Sequence, residues 1–136
     1  MRTFACALIV TTGMVGWIGP AVAADMTAAD IKALVGGKTA YLEVTTAGAA
    51  GTAGQGVLYF AEDGTILNKT PAGPVWHGKF EFKDNTTCPA WKEKPDVSCS
   101  RWDKTGDVVS IFDAVSGQLR SKITKIAPGN AEKLAP

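Results

Sequence analysis

The chain is poor in the residues on which most recognisable active sites are built. It has one histidine, His77, and three cysteines among 136 residues. No serine beyond residue 24 sits in a G-x-S-x-G elbow, and there is no H-E-x-x-H, P-loop or dinucleotide fingerprint. His77 is therefore left without a nucleophile to serve, and it reads as a surface histidine on a strand. Asp103, Thr105 and Asp107 alternate as calcium-loop ligands do, but the downstream acid and the loop length are missing. No metal site or cofactor is expected.

Charge of one sign is also lacking. The 14 Lys and Arg are set against 13 Asp and Glu, and the balance is even once Arg2 is set aside with the leader described below. A domain so balanced has no long-range field to draw in nucleic acid or an anionic membrane. Beyond residue 24 there is no apolar run of spanning length, so no membrane span is expected after processing.

What is present begins with a leader. Arg2 supplies a positive start, Ala5 to Ile18 is largely apolar, and Pro20-Ala21-Val22-Ala23-Ala24 offers the small side chains that signal peptidase requires. Residues 1–24 are expected to be a cleavable signal peptide, cut after Ala23 or Ala24. Residues 25–136 then form a single β-rich domain of about 112 residues, exported to the periplasm or secreted. Cys6 leaves with the leader. Cys88 and Cys99 remain, an even pair in an oxidising compartment, and they flank one polar loop at equal distances from its middle. In an antiparallel hairpin they face each other closely enough to bond. Such a disulfide stabilises the fold by roughly 3 kcal/mol in the chain-entropy model. Their C-x10-C spacing is not that of a redox motif.

The domain opens with a short helix. Thr27 is the N-cap, Asp30 the capping-box acid, and Met26 can pack on Ile31. Ile31, Leu34 and Val35 form one stripe, and Gly36-Gly37 stops the helix. A helix this short must pack on one end or face of a sheet. From Lys38 the period changes to two. Strands are predicted over 41–46, 56–60, 65–69, 75–83, 86–90, 97–102, 108–113 and 118–126. The clearest is Val75 to Lys83, with Trp76, Gly78, Phe80 and Phe82 on one face and His77, Lys79, Glu81 and Lys83 on the other. The glycine- and alanine-rich segment Ala47 to Gly54 is expected to be a mobile loop, and the polar tail from Pro128 to fray.

About eight short strands joined by short turns favour pairing between neighbours. The expected fold is mainly β, a small up-and-down antiparallel barrel or curved meander sheet with one N-terminal helix; an open sandwich is the rival. Up-and-down connectivity gathers the tight turns at Asp63-Gly64, Asp84-Asn85 and Thr105-Gly106 at one end. The longer connections, Ala47 to Gly54, Pro71 to Pro74, Trp91 to Asp96 and Ala114 to Gly117, gather at the other, where binding usually resides. Trp91, at the lip of the disulfide loop, either folds back over the barrel or stands exposed as an anchor for a partner or sugar ring. The candidate binding set is Trp91, Lys92, Lys94, Trp76 and His77, with the two lysines tuning encounter.

Gly36-Gly37, Asp63-Gly64, Trp76 to Phe80, the Cys88/Cys99 pair and Ile126 to Asn130 together resemble small exported proteobacterial proteins carrying domains of unknown function. The resemblance spans nearly all of residues 25–136. It implies a periplasmic or secreted β-rich domain and no activity. Two functional classes remain. The first is a non-enzymatic binding or interaction module for a small ligand, an envelope polymer or a protein, inhibition included. The second is a small carboxylate-based hydrolase or isomerase with its site inside the barrel. Buried carboxylates with raised pKa values would mark the enzyme, and an apolar lining the binder.

Overall fold

The computed structural model describes residues 19–20 and 22–136. Most of the expected leader, Cys6 included, lies outside the described residues. The helix, α1, spans Ala28–Val35 and is held by the predicted capping box. Thr27 Oγ1 accepts from the Asp30 amide at 3.2 Å, and Asp30 Oδ2 accepts from the Thr27 amide at 3.0 Å. The Lys38 ammonium donates to the Ala33 and Leu34 carbonyls, both at 3.2 Å, meeting the free end of the helix. Ile31 and Val35 are fully buried.

Nine strands lie among the described residues: β1 Ala24–Asp25, β2 Lys38–Val44, β3 Gly54–Phe60, β4 Thr65–Lys69, β5 Val75–Lys83, β6 Thr86–Trp91, β7 Ser100–Thr105, β8 Val108–Asp113 and β9 Leu119–Pro128. From β2 to β9 each pairs antiparallel with the next, and β9 returns to β2 from Lys38↔Pro128 to Val44↔Ser121. The result is a closed, up-and-down barrel of eight strands, with β1 as an extra strip on β7. The open sandwich does not form. Closure leaves the barrel strands little free edge to pair with another chain.

The helix closes the tight-turn end. Its first amide, at Ala28, donates to Asn85 Oδ1 in the β5–β6 turn at 3.1 Å. At its other end the Gly37 amide donates to the Phe60 carbonyl at 2.8 Å. Below it the interior is filled by an edge-to-face chain of rings, Phe82–Phe80–Phe60–Trp102, with centroids 5.1, 4.9 and 6.2 Å apart. The Trp102 indole N–H is satisfied by Thr87 Oγ1 at 2.9 Å.

One seam is weak. β6 and β7 share a single ladder pair, Thr87↔Ser100. The next position outward is the Cys88–Cys99 disulfide, with Cα atoms 4.3 Å apart. A strand was expected from Val97, but β7 begins only at Ser100. The carbonyls of Ser98 and Cys99 go instead to Arg120 Nη1, at 2.9 and 3.4 Å. A side chain from β9, two strands along the barrel wall, thus completes what a neighbouring strand would otherwise supply.

Two other expectations are corrected. The segment from Ala47 to Gly54 is folded into successive turns, Gly48 N–H to Thr45 O at 3.0 Å and Gly51 N–H to Gly48 O at 2.8 Å, and its last residue already belongs to β3. The tail beyond Pro128 is docked. Gly129 N–H donates to Gly37 O at 3.0 Å, Ala131 N–H to Thr39 Oγ1 at 3.0 Å, and the Tyr41 hydroxyl to Glu132 at 2.6 Å. Asn130 closes a turn on Leu134 through both ends of its amide. Leu134 is buried, and Pro136 borders a crevice with Leu67, which faces outward yet is only 2% exposed. The tail therefore covers apolar surface that the barrel would otherwise show to water.

Replacing Leu134 with alanine should cost about 2 kcal/mol, the low end of the range for a buried leucine because a surface segment can resettle. Urea unfolding is expected to show a lower midpoint at unchanged slope. An unchanged midpoint would mean that the tail adds nothing to the barrel.

Candidate ligand cavity at the long-loop end

The half of the barrel away from α1 is incompletely filled. A cavity of about 90 Å³ lies there, bounded by Leu42, Leu58, Ile66 and Ile111 from the strands and by Gly48, Ala49, Ala50, Pro71 and Val97 from three of the long connections. Its floor is aromatic, with Trp91, Trp102, Phe60 and Phe80 in the lining. The long connections thus surround an apolar recess, at the end where sequence reasoning looks for binding.

The candidate residues do not form one surface. Trp91 is only 4% exposed and belongs to the core. As an exposed anchor it is corrected: β6 runs through Trp91, and the indole turns into the barrel. Gly78 makes this possible. It pairs with Trp91 across β5–β6, and a Cβ there would lie 2.6 Å from the Ala90 carbonyl oxygen and 3.0 Å from the indole. Trp76 joins Trp91 edge to face, centroids 6.1 Å apart, and is also turned inward. These two residues meet inside the barrel.

His77 lies on the outer face, as the alternation predicts. Its Nδ1 is 2.6 Å from Glu93 Oε1, and its amide donates to Glu93 Oε2 at 2.8 Å. The hydrogen bond from His77 holds the Glu93 carboxyl below its ordinary range. The Lys92 amide donates to the His77 carbonyl at 2.8 Å. Together these bonds pin the start of the β6–β7 connection to β5. The Lys92 and Lys94 side chains are exposed outside the barrel. His77 and Lys92 border the crevice beneath Pro136, remote from the cavity lining.

Among the polar residues of the lining, the charged one is one that sequence reasoning missed. Between the pairs Phe112↔Leu119 and Ile111↔Ser121, β9 carries one extra residue, Arg120. This bulge breaks the alternation and brings Arg120 into the lining beside Ser121. Arg120 is 8% exposed. Its Nη2 pairs with Asp113 Oδ2 at 2.6 Å and with Ser98 Oγ at 2.6 Å, and its Nη1 reaches Ser100 Oγ at 2.7 Å. Its Nε is buried with no partner among the described residues. A bulge leaves no mark in composition, and a basic residue in a strand otherwise reads as outward.

Asp113 is held ionised. Amides of Ser116 and Val115 donate to its Oδ1 at 3.0 and 2.8 Å, Ser98 Oγ donates to Oδ2 at 2.9 Å, and Arg120 stands beside it. These groups, the Ser116 amide foremost, bring its pKa from 3.8 down to about 2. A carboxyl held ionised in this way is not poised as a general acid near neutral pH. Among the described residues no three His, Cys, Asp or Glu side chains gather to hold a metal ion, and no helix is long and apolar enough to cross a membrane. The disulfide fits a non-cytoplasmic compartment.

No family model, curated protein or solved structure matches this chain.

A carboxyl whose pKa is lower folded than unfolded stabilises above the unfolded value and loses that contribution as pH falls through the folded one. Asp113 should therefore contribute to an acid-side loss of stability between about 3.8 and about 2. Urea midpoints measured across this window should fall less steeply for Asp113→Asn than for the wild type. Equal slopes would mean that the carboxylate is not held as described.

Proposed function

We propose that the domain is an exported, non-enzymatic binding module, periplasmic or secreted, that admits part of a small apolar molecule into the barrel through its long-loop end. The observation that carries this reading is the apolar cavity ringed by the long connections. At about 90 Å³ it is well below the roughly 300 Å³ and more of a site that encloses a whole ligand. A ligand would therefore place one end inside and lie between the loops with the rest. The hydrolase or isomerase alternative would use a carboxyl of raised pKa inside the barrel. Asp113, beside the cavity, is shifted the other way. The resemblance to exported proteins of unknown function is consistent with this reading but names no ligand.

The test is methyl NMR of the mature protein during titration with pentane. Methyl signals of Leu42, Leu58, Ile66 and Ile111 should shift saturably, while those of the exposed Val108 and Val115 should not. Ala49→Phe, which puts a ring at the cavity wall, should abolish the shifts without unfolding the protein. Absence of any saturable shift in the wild type, or shifts only at outer methyls, would overturn the reading.

A further inference from the structure

The tight-turn end carries a second recess. α1 crosses this end without covering all of it. Between the helix and the β3–β4 turn an open groove of about 910 Å³ remains, with Lys32, Val35 and Gly36 on one side and residues 61–64 on the other. Its floor is aromatic, made by Phe60, Phe80 and Phe82. Phe82 belongs to the inward face of β5 yet is only half-buried, so the ring chain that fills the barrel comes to the surface here. The volume is in the range of clefts that hold whole small molecules.

The backbone around the groove is already paired. Gly37 N–H donates to Phe60 O, Ala61 N–H to Thr65 O, Gly64 N–H to Ala61 O and Phe80 N–H to Gly64 O. A peptide has no free edge to extend at this place, so a ligand is read by rings and charge. The face of an aromatic ring attracts cations. That of Phe82 already holds one, the Lys32 ammonium, 4.9 Å from the ring centroid. Carboxyls outnumber this ammonium in the lining, with Glu62, Asp63 and Glu81 against Lys32. Glu62 lies beside the helix end, its Oε1 3.1 Å from where a Cβ on Gly37 would stand. Neither Glu62 nor Glu81 is ion-paired among the described residues. Asp63 accepts from the Thr65 amide at 2.8 Å, which keeps its carboxyl ionised. Lys32 is exposed, so a free cation can take its place.

We propose that this groove is a second binding site, for a small organic cation. An apolar body of about one ring lies against Phe82 and Val35, and its ammonium group, directed toward the carboxylates of the β3–β4 turn, displaces that of Lys32. The proposal rests on the groove alone and not on the cavity at the other end.

Three probes with one apolar body separate the possibilities: phenethylammonium, phenethyl alcohol and hydrocinnamate. Each is titrated into the mature protein and followed by NMR of Val35 methyl and Phe82 ring signals. The ammonium should bind about tenfold tighter than the alcohol, the combined effect of one exposed cation–π contact and one exposed ion pair, and hydrocinnamate more weakly than either. Leu42 and Ile111, which line the cavity, should stay still. Glu62→Gln should reduce the preference for ammonium over alcohol about threefold, and Lys32→Ala, which removes the competing cation, should raise it about threefold. Both side chains are exposed, so both variants should keep the wild-type fold.

Equal affinity for the three probes, movement of the cavity methyls alone, or a preference that neither variant alters would overturn the proposal. So would the absence of saturable binding by phenethylammonium. None of these results touches the cavity reading, whose probe is pentane.

Discussion

The structure depends on closing the barrel between β6 and β7. Everywhere else neighbouring strands exchange full ladders, but here one residue pair does so. An open seam would expose backbone donors and acceptors beside an apolar interior, which is the costliest place to leave them. The extra strand β1 and Met26 cover the rest of this edge of β7, with Ala24↔Lys104, Asp25↔Asp103 and Met26 N–H to Trp102 O at 2.8 Å, and three different bonds hold the seam beside them. The disulfide ties Cys88 to Cys99, the Trp102 indole donates to Thr87, and Arg120 of β9 binds the Ser98 and Cys99 carbonyls. The covalent bond constrains the unfolded chain as well, which the other two cannot do.

The same arrangement leaves the cavity. Beyond the disulfide β6 and the segment before β7 share no ladder pair, and the cavity lies toward that long-loop end, whereas α1 closes the other. Gly78 gives the space taken by Trp91, so the indole becomes part of the floor rather than a lid. The bulge in β9 delivers Arg120 to the wall, where it serves the seam with its two Nη atoms. One residue thus joins the mechanical problem of closure to the lining of the recess.

Much of this was legible in the sequence. Alternation in Val75 to Lys83 identified the inward face of β5, Thr27 and Asp30 marked the helix start, and the even placement of Cys88 and Cys99 about one loop indicated their pairing. Short consecutive strands pointed to an up-and-down barrel and so to the end where the longer connections gather. The site itself was read less well. Its place beside a polar loop leaves Trp91 either folded back over the barrel or exposed, and the inward position is decided by Gly78, a partner on another strand. Arg120 enters the interior only through a bulge, which follows from how β8 and β9 register and not from local pattern. The tail looked polar and terminal, yet Asn130 and Leu134 dock it through tertiary contacts. In each case the deciding interaction joins residues distant in the chain or in register, beyond what a local window shows.

The claim that the seam is held by the disulfide and its side-chain substitutes can be tested by amide hydrogen exchange on the oxidised and reduced protein. Reduction should speed exchange at least about tenfold in residues 86–91 and 98–102, a local opening, while amides in the β2–β3 and β3–β4 ladders keep their protection. Unchanged exchange at the seam, or an equal rise across every strand, would contradict the account.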